Sequence, residues 1–359
     1  MWVFYILLFL PMLIRFVKTQ GREVDSSKAN KTAIGIFFLL LTILVMLRHE
    51  SVGNDTRNYL NFFARHAKIS WDSIGNDSLE TGYVFLSKVI SLISTDPRIF
   101  LIITSVIVTL MIYPTYKRLV TDSSLTMTLF CMMSTFTMMF SGIRQMLAIA
   151  IGFVAYEFTR KKKFVPFSLM VAFAMTIHTS AFMLAFMYPA YNVKVNKIRL
   201  LGLIPLLGLV FLLNEPIFNF ISIYIEKYTR FEAEISSTGA YSMLLLFGVF
   251  LVFAFAIPDE SKMDAETSGL RNFLIVSFAL QMFAPIHSLA MRMNYYYIIF
   301  IPLLIPRIIK YRKKDMQQVA LLARMVMVVF FVGYFFYNAY TSDNNLHVFP
   351  YHFFWENVI

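Results

Sequence analysis

A single cysteine, Cys131, stands in the 359 residues, inside an apolar run. Disulfides and thiolate metal sites are thereby excluded. Histidine is scarce too, with six residues and no HxH or HxxxH spacing. The first outer loop holds no Asp-x-Asp pair, and the chain has no Walker or Rossmann glycine pattern. No metal and no cofactor are expected. Charge is low, at 15% of residues, where a soluble domain carries about 25%. No polar stretch is long enough for a separate soluble domain. The apolar runs do not alternate with polar residues, which excludes a membrane β-barrel.

What the chain has in quantity is apolar: 58% of residues are hydrophobic and 17% aromatic. Lipid offers the backbone no hydrogen bonds, so spanning segments without alternation must be helices. The expected fold is all-α, a polytopic membrane protein of about twelve helices in a single membrane-embedded domain over 1–359. The runs lie at 1–17, 32–47, 97–113, 124–140, 143–158, 164–177, 179–190, 199–214, 240–257, 272–288, 293–309 and 318–338. The first has its charges, Arg15 and Lys18, at its far end and no small-residue cleavage site, so it reads as a retained helix. The segment 81–95 is short and reads as re-entrant or interfacial. The pair 164–177 and 179–190 is also short and meets at His178, which suggests helix ends facing a cavity; a tight helical hairpin is the plainer alternative.

A net charge of +11 could indicate nucleic acid, but in a bilayer its placement matters more, and no nucleic acid is expected. With the N-terminus outside, 21 of the 32 basic residues fall in cytoplasmic segments. Both termini are then extracytoplasmic. The outer face receives loop 48–80, whose stretch from Asp55 to Lys68 reads as an amphipathic surface helix. A second outer loop spans 215–239.

A polar set collects on that face: Arg48, Asp55, Tyr59, Glu80, Tyr83, Arg144, Gln145, His178, Arg230, Arg292, Tyr351 and His352. Arginine at the outer end of an apolar helix is costly unless it is paired or holds an anion. Its planar fork suits phosphate. Arg144 and Arg292 each open a helix, where backbone N–H groups already favour anions, and Arg48 closes one. Together they suggest a phosphate or pyrophosphate site. Plainer readings stand beside these. Arg57, Arg65 and Arg98 fit lipid phosphates. His49, His66 and His347 fit plain surface. Asp55 fits a helix cap, Glu80 a structural ion pair, and His178 a core histidine. The tail HVFPYHFFW fits an interfacial belt.

The motifs resemble a family. The series Arg48…Gly53-Asn54-Asp55-Thr56…Tyr59, Glu80-Thr81-Gly82-Tyr83, Gly142-Ile143-Arg144-Gln145…Ala148 and Ala174…His178-Thr179-Ser180 is similar to the EpsG family of exopolysaccharide proteins. That family is a branch of the Wzy-like polysaccharide polymerases. The ending Pro350-Tyr351…Phe354 is similar as well. The likeness is most specific between 48 and 190. Asn54 departs from it, standing where a small or Thr-like residue is expected.

The resemblance implies a glycosyltransferase that joins oligosaccharide repeat units carried on undecaprenyl pyrophosphate, at the outer face of the bacterial cytoplasmic membrane. It implies a fold like the GT-C membrane glycosyltransferases. A chain-length regulator and a flippase are the implied protein partners. The family motifs carry over onto Arg48, Asp55, Glu80, Arg144, Gln145 and His178. Arg48, Arg144, Gln145, Arg292, Tyr59, Tyr83 and Arg230 are the expected substrate contacts. His178, Glu80 and Asp55, in that order, are the candidates for the group that orients or deprotonates the acceptor hydroxyl. An O-antigen-type ligase would use the same chemistry, but with a larger late outer loop than 215–239. A transporter would show repeat symmetry between halves, and none is visible.

Overall fold

The computed structural model describes residues 1–19, 26–223, 237–341 and 346–358. They form helices joined by short connections, and the β-pairing among them is confined to two isolated bridges, Arg48 with Phe353 and Pro258 with Arg312. The chain divides into two compact units, Met1–Phe182 with Leu322–Ile359, and Met183–Leu321.

The first unit begins with α1 (Trp2–Thr19) and α2 (Ser26–Met46), followed by α3 (Thr56–His66), a 3-10 turn (Trp71–Asn76) and α4 (Thr81–Ser91). Next come α5 (Pro97–Leu119), α6 (Ser123–Met132), α7 (Ser134–Ser141), α8 (Ile143–Arg160) and α9 (Phe164–Ile177). Local chemistry sets several starts. Asp96 caps α5 by accepting from the Arg98 amide, with Pro97 in the first turn. Asp122 caps α6 through the Ser124 and Leu125 amides. α6 and α7 bend by 64° at Met133.

α8 is the buried axis of this unit, with most of its residues inside, packed on α5, α7 and α9. Lipid tails are as apolar as a core, so helix association here relies on close packing. An aromatic knot supplies it. Phe4, fully buried, meets Phe136, Phe140, Phe335, Phe349 and Tyr351 edge-on at centroid distances from 4.7 to 6.4 Å. Such pairs add about 0.5–1.5 kcal/mol each beyond area.

The second unit holds α10 (Met187–Asn192), α11 (Lys197–Leu212), α12 (Asn214–Ile223), α13 (Ser237–Ala256), α14 (Ala265–Gln281), α15 (Ser288–Ile298) and α16 (Ile301–Lys310). Several of its charges are paired internally. Arg271 donates to the Val195 carbonyl at 2.7 Å and to Glu260 at 3.2 Å. Arg307 donates to Thr267 and Asp264, and Tyr311 to Asp264. Asp264, beside α14, pays a desolvation cost, but these donors and the Thr267 amide hold its carboxyl down to about 2. α17 (Gln317–Thr341) begins in this unit and ends in the first.

The all-α polytopic fold is as expected. Among the described residues, α1, α2, α5, α13 and α17 are each long and apolar enough to cross a membrane. The bent pairs α6–α7 and α11–α12 raise the total to as many as seven. The other expected runs fold as shorter or more charged helices. The run at 179–190 is a 3-10 turn, Thr179–Phe186, followed by α10, and the run at 293–309 breaks between α15 and α16 ahead of Pro302. The loop expected at 215–239 starts as α12 and ends as α13; its centre, 224–236, lies outside the described residues.

Loop 48–80 holds α3 where the surface helix was expected, but its apolar face packs on protein. Tyr59, Phe63 and His66 are buried, and Phe63 stacks on Phe100 at 4.9 Å. His66, read from sequence as surface, is fully buried with Nε2 3.3 Å from Asp77. The aromatic tail also packs on protein. It folds over the end of α2: the His49 amide donates to the His352 carbonyl, the Phe354 amide to that of Leu47, and the Tyr351 hydroxyl to that of Leu44. Trp355 stays exposed and Tyr351 is buried. Gly53 sits beneath this closure at φ 89°, and a Cβ there would lie 2.1 Å from the Phe140 carbonyl oxygen. Only glycine meets both demands.

Candidate functional site

Three of the four sequence motifs converge on one carboxylate in the first unit. Glu80 precedes α4 and takes the N-cap position with extended backbone. Arg144 is the second residue of α8, and His178 ends α9 in extended backbone at φ −154°. Gly82 allows the approach. A Cβ at this position would lie 2.2 Å from the Thr176 hydroxyl and 2.8 Å from its carbonyl oxygen, so the first turn of α4 rests directly on the last turn of α9.

Glu80 Oε2 accepts from Arg144 Nη1 at 2.5 Å. Its Oε1 lies 3.2 Å from His178 Nδ1 and accepts from the Thr179 amide at 3.1 Å and the Thr179 hydroxyl at 3.2 Å. The Glu80 side chain is only 13% exposed. Burial opposes its ionisation, but the His178 bond, the Arg144 charge and the Thr179 amide outweigh that and hold the carboxyl far below the usual range. Glu80 is therefore ionised at any physiological pH, and as a proton acceptor it is weak.

An ionised carboxylate beside Nδ1 fixes the histidine tautomer. Nδ1 carries the hydrogen and donates it, and Nε2 is the basic nitrogen. The Glu80–His178 pair thus has the orientation that makes imidazole a general base in other enzymes. Arg144 supplies the cation. Its guanidinium lies 5.9 Å from the Tyr59 ring centroid and 5.8 Å from that of Tyr83, within cation–π range. The side chain keeps 22% exposure. Arg144 Nε and the Tyr83 hydroxyl are buried without a hydrogen-bond partner.

The remaining candidates are placed as follows. Tyr59 and Tyr83 are buried beside Arg144. Gln145 is buried one residue along α8. Asp55 holds the N-cap position of α3, yet its side chain makes no capping bond, so the cap reading fails. Arg48 is 1% exposed. Its guanidinium donates to the Thr56 hydroxyl and the Val45 carbonyl, and it is not brought to Glu80. Instead it ties the end of α2 to Thr56 of the first motif, whose hydroxyl also lies 3.1 Å from the Phe140 carbonyl of α7. Arg292 is exposed on the second unit, a full turn into α15 rather than at its start. Arg230 lies outside the described residues. Of the arginines read as meeting lipid phosphates, Arg57 pairs with Glu50 and Arg65 with Asp77, while Arg98 lies over the Phe354 ring. Sequence reasoning missed Thr179 as a ligand of Glu80. Its place directly after a helix-ending histidine was the available signal.

Gly82→Ala should test this geometry. It should cost at least tenfold in activity, because a backbone contact of 2.8 Å forces the two turns apart and a shift of about 1 Å at a positioned group can cost a hundredfold. Activity per unit of folded protein is the measurement, and an unchanged value would remove Gly82 from the site.

Among the described residues no cluster of three or more His, Cys, Asp or Glu side chains is arranged for a metal. No curated protein and no solved structure matches the chain. The model of the EpsG family matches residues 31–353, which include every residue of this cluster, all of the second unit and most of the first. The chain therefore belongs to the EpsG family.

Proposed function

We propose that this protein is a polysaccharide polymerase that joins oligosaccharide repeat units carried on undecaprenyl pyrophosphate, at the outer face of the bacterial cytoplasmic membrane. Membership of the EpsG family supports a Wzy-like exopolysaccharide polymerase in general. The observation that carries the finer reading is the bridging of Arg144 and His178 by one ionised carboxylate, Glu80. It sets a cation and an oriented imidazole on the same small patch.

In the reaction, the bond between the donor's anomeric carbon and its pyrophosphate oxygen breaks, and the lipid pyrophosphate leaves with the electron pair. The acceptor hydroxyl oxygen bonds to that carbon, and its proton passes to His178 Nε2. Arg144 faces the negative charge that grows on the leaving group. Glu80 keeps the His178 tautomer and Arg144 in place. Tyr59 and Tyr83 flank the guanidinium, and Gln145 is proposed as a further contact to sugar or pyrophosphate. A chain-length regulator and a flippase are the proposed protein partners.

The test is purified protein supplied with a lipid-linked repeat unit. A ladder of longer lipid-linked chains is expected, and its loss is expected in His178→Ala. Normal ladders from that variant, or none from the native chain given its own repeat unit, would defeat the reading. Orientation is tested separately. The lysine and arginine asymmetry puts both termini outside, so a C-terminal alkaline phosphatase fusion should be active. A fusion active only with a cytoplasmic reporter would invert the topology and move the cluster to the wrong face.

A further inference from the structure

The far end of the first unit carries a second polar site with different chemistry. Lys28 and Lys31 of α2 and Lys117 of α5 line an open cleft of about 500 Å³ with Thr32, Tyr113 and the apolar wall of Gly35, Ile36 and Leu39. Lys18 donates to Thr32 at its rim, at 3.3 Å. Gly35 makes room for the Tyr113 ring: a Cβ there would stand 3.1 Å from the Tyr113 hydroxyl. Lys117 lies over that ring at 5.5 Å. The cleft is at the start of α2, one helix length, about 30 Å, from the Arg48 end.

Among the described residues, no carboxylate pairs with Lys18, Lys28, Lys31 or Lys117, and two acids of the same unit are engaged elsewhere, Asp122 by Arg324 and Glu157 by Arg118 and Arg160. Lys28 and Lys31 also sit in the first two turns of α2, where the helix dipole disfavours cations. An anion in the cleft would offset both repulsions. The remaining wall is apolar and runs along α2 toward the bilayer centre, with Leu39 60% exposed. A free phosphate has no use for that wall, but a phosphate joined to acyl chains does.

We propose that this cleft is a binding site for an anionic glycerophospholipid of the cytoplasmic leaflet, with the headgroup phosphate among Lys28, Lys31 and Lys117 and one acyl chain along Ile36 and Leu39. The site is independent of the Glu80 cluster and of the polymerase reading. Basic pockets between membrane helices on that side suit such headgroups.

The experiment is a titration of the full-length protein in neutral detergent with short-chain phosphatidylglycerol, phosphatidylcholine or inorganic phosphate. Saturable binding of phosphatidylglycerol alone is expected. The variant Lys28→Gln/Lys31→Gln/Lys117→Gln should bind it about a hundredfold more weakly, since each lysine near an anionic lipid contributes about 1 kcal/mol. Lys161→Gln/Lys162→Gln/Lys163→Gln, in another cytoplasmic basic run, should bind as the native chain does. Equal binding by the first variant, an equal loss in the second, or phosphate binding as tight as the lipid's would each overturn the proposal. If the first variant does not fold, Lys31→Glu alone should weaken binding about thirtyfold, because it removes one attraction and adds a repulsion of similar size, and no change would have the same overturning force.

Discussion

Replacing Arg144 by lysine should lower polymer synthesis about a hundredfold to a thousandfold, the range seen when one donor to a developing oxyanion is removed. Lysine keeps the charge, so Glu80 retains a counter-ion. It lacks the planar fork that reaches Glu80 Oε2 through Nη1 while lying beside both tyrosine rings. A truncation is harsher. Arg144→Met leaves Glu80 ionised in a site where its side chain is 13% exposed, and uncovering one partner of a buried pair costs about 3–5 kcal/mol. Low expression of that variant would say little about catalysis. Glu80→Gln in the same chain separates the two effects, because it removes the stranded charge. The double variant should recover folded protein in detergent and remain inactive. Recovered synthesis in the double variant would show Arg144 to be structural.

The convergence of motifs was legible in part. Each charged member of the cluster lies in a motif visible in the sequence, and the placement of Arg144 and His178 at helix ends follows from apolar runs that end beside them. Their meeting on Glu80 was not legible, because it depends on Gly82 closing α4 onto α9, and a lone glycine in an apolar helix carries no such label. Arg48 shows the opposite failure. Its position at a helix end resembles that of Arg144, yet it is buried under a tail some three hundred residues away, through bonds such as His49 to His352. No local signal reports so distant a closure. His66 went wrong for a related reason. The amphipathic pattern of α3 is real, but amphipathicity alone does not say whether the apolar face meets lipid or protein. Among the helices, the break before α16 is announced by Pro302, whereas the 64° bend at Met133 has neither proline nor glycine to mark it.

The assignment of His178 as base and Glu80 as its orienting partner leads to a pH experiment with a definite sign. Glu80 is depressed in the folded protein. Its contribution to stability is therefore fully present above the unfolded carboxyl value, about 4.3, and is lost only as pH falls through its lower folded value. Between pH 5 and 8 Glu80 adds no pH dependence of its own. A fall in kcat/KM toward acid within that window then reports His178, which must be neutral to accept a proton. Glu80→Gln should act on both features of the profile. The plateau should drop at least a hundredfold, because an amide can hold the wrong imidazole tautomer. The acid limb should also move down by about one pH unit or more, since the imidazolium loses an anion 3.2 Å away. A merely structural carboxylate would lower the plateau and leave the limb where it was. An unmoved limb, or normal synthesis by His178→Ala, would transfer the base to another group, with Asp55 the next to test.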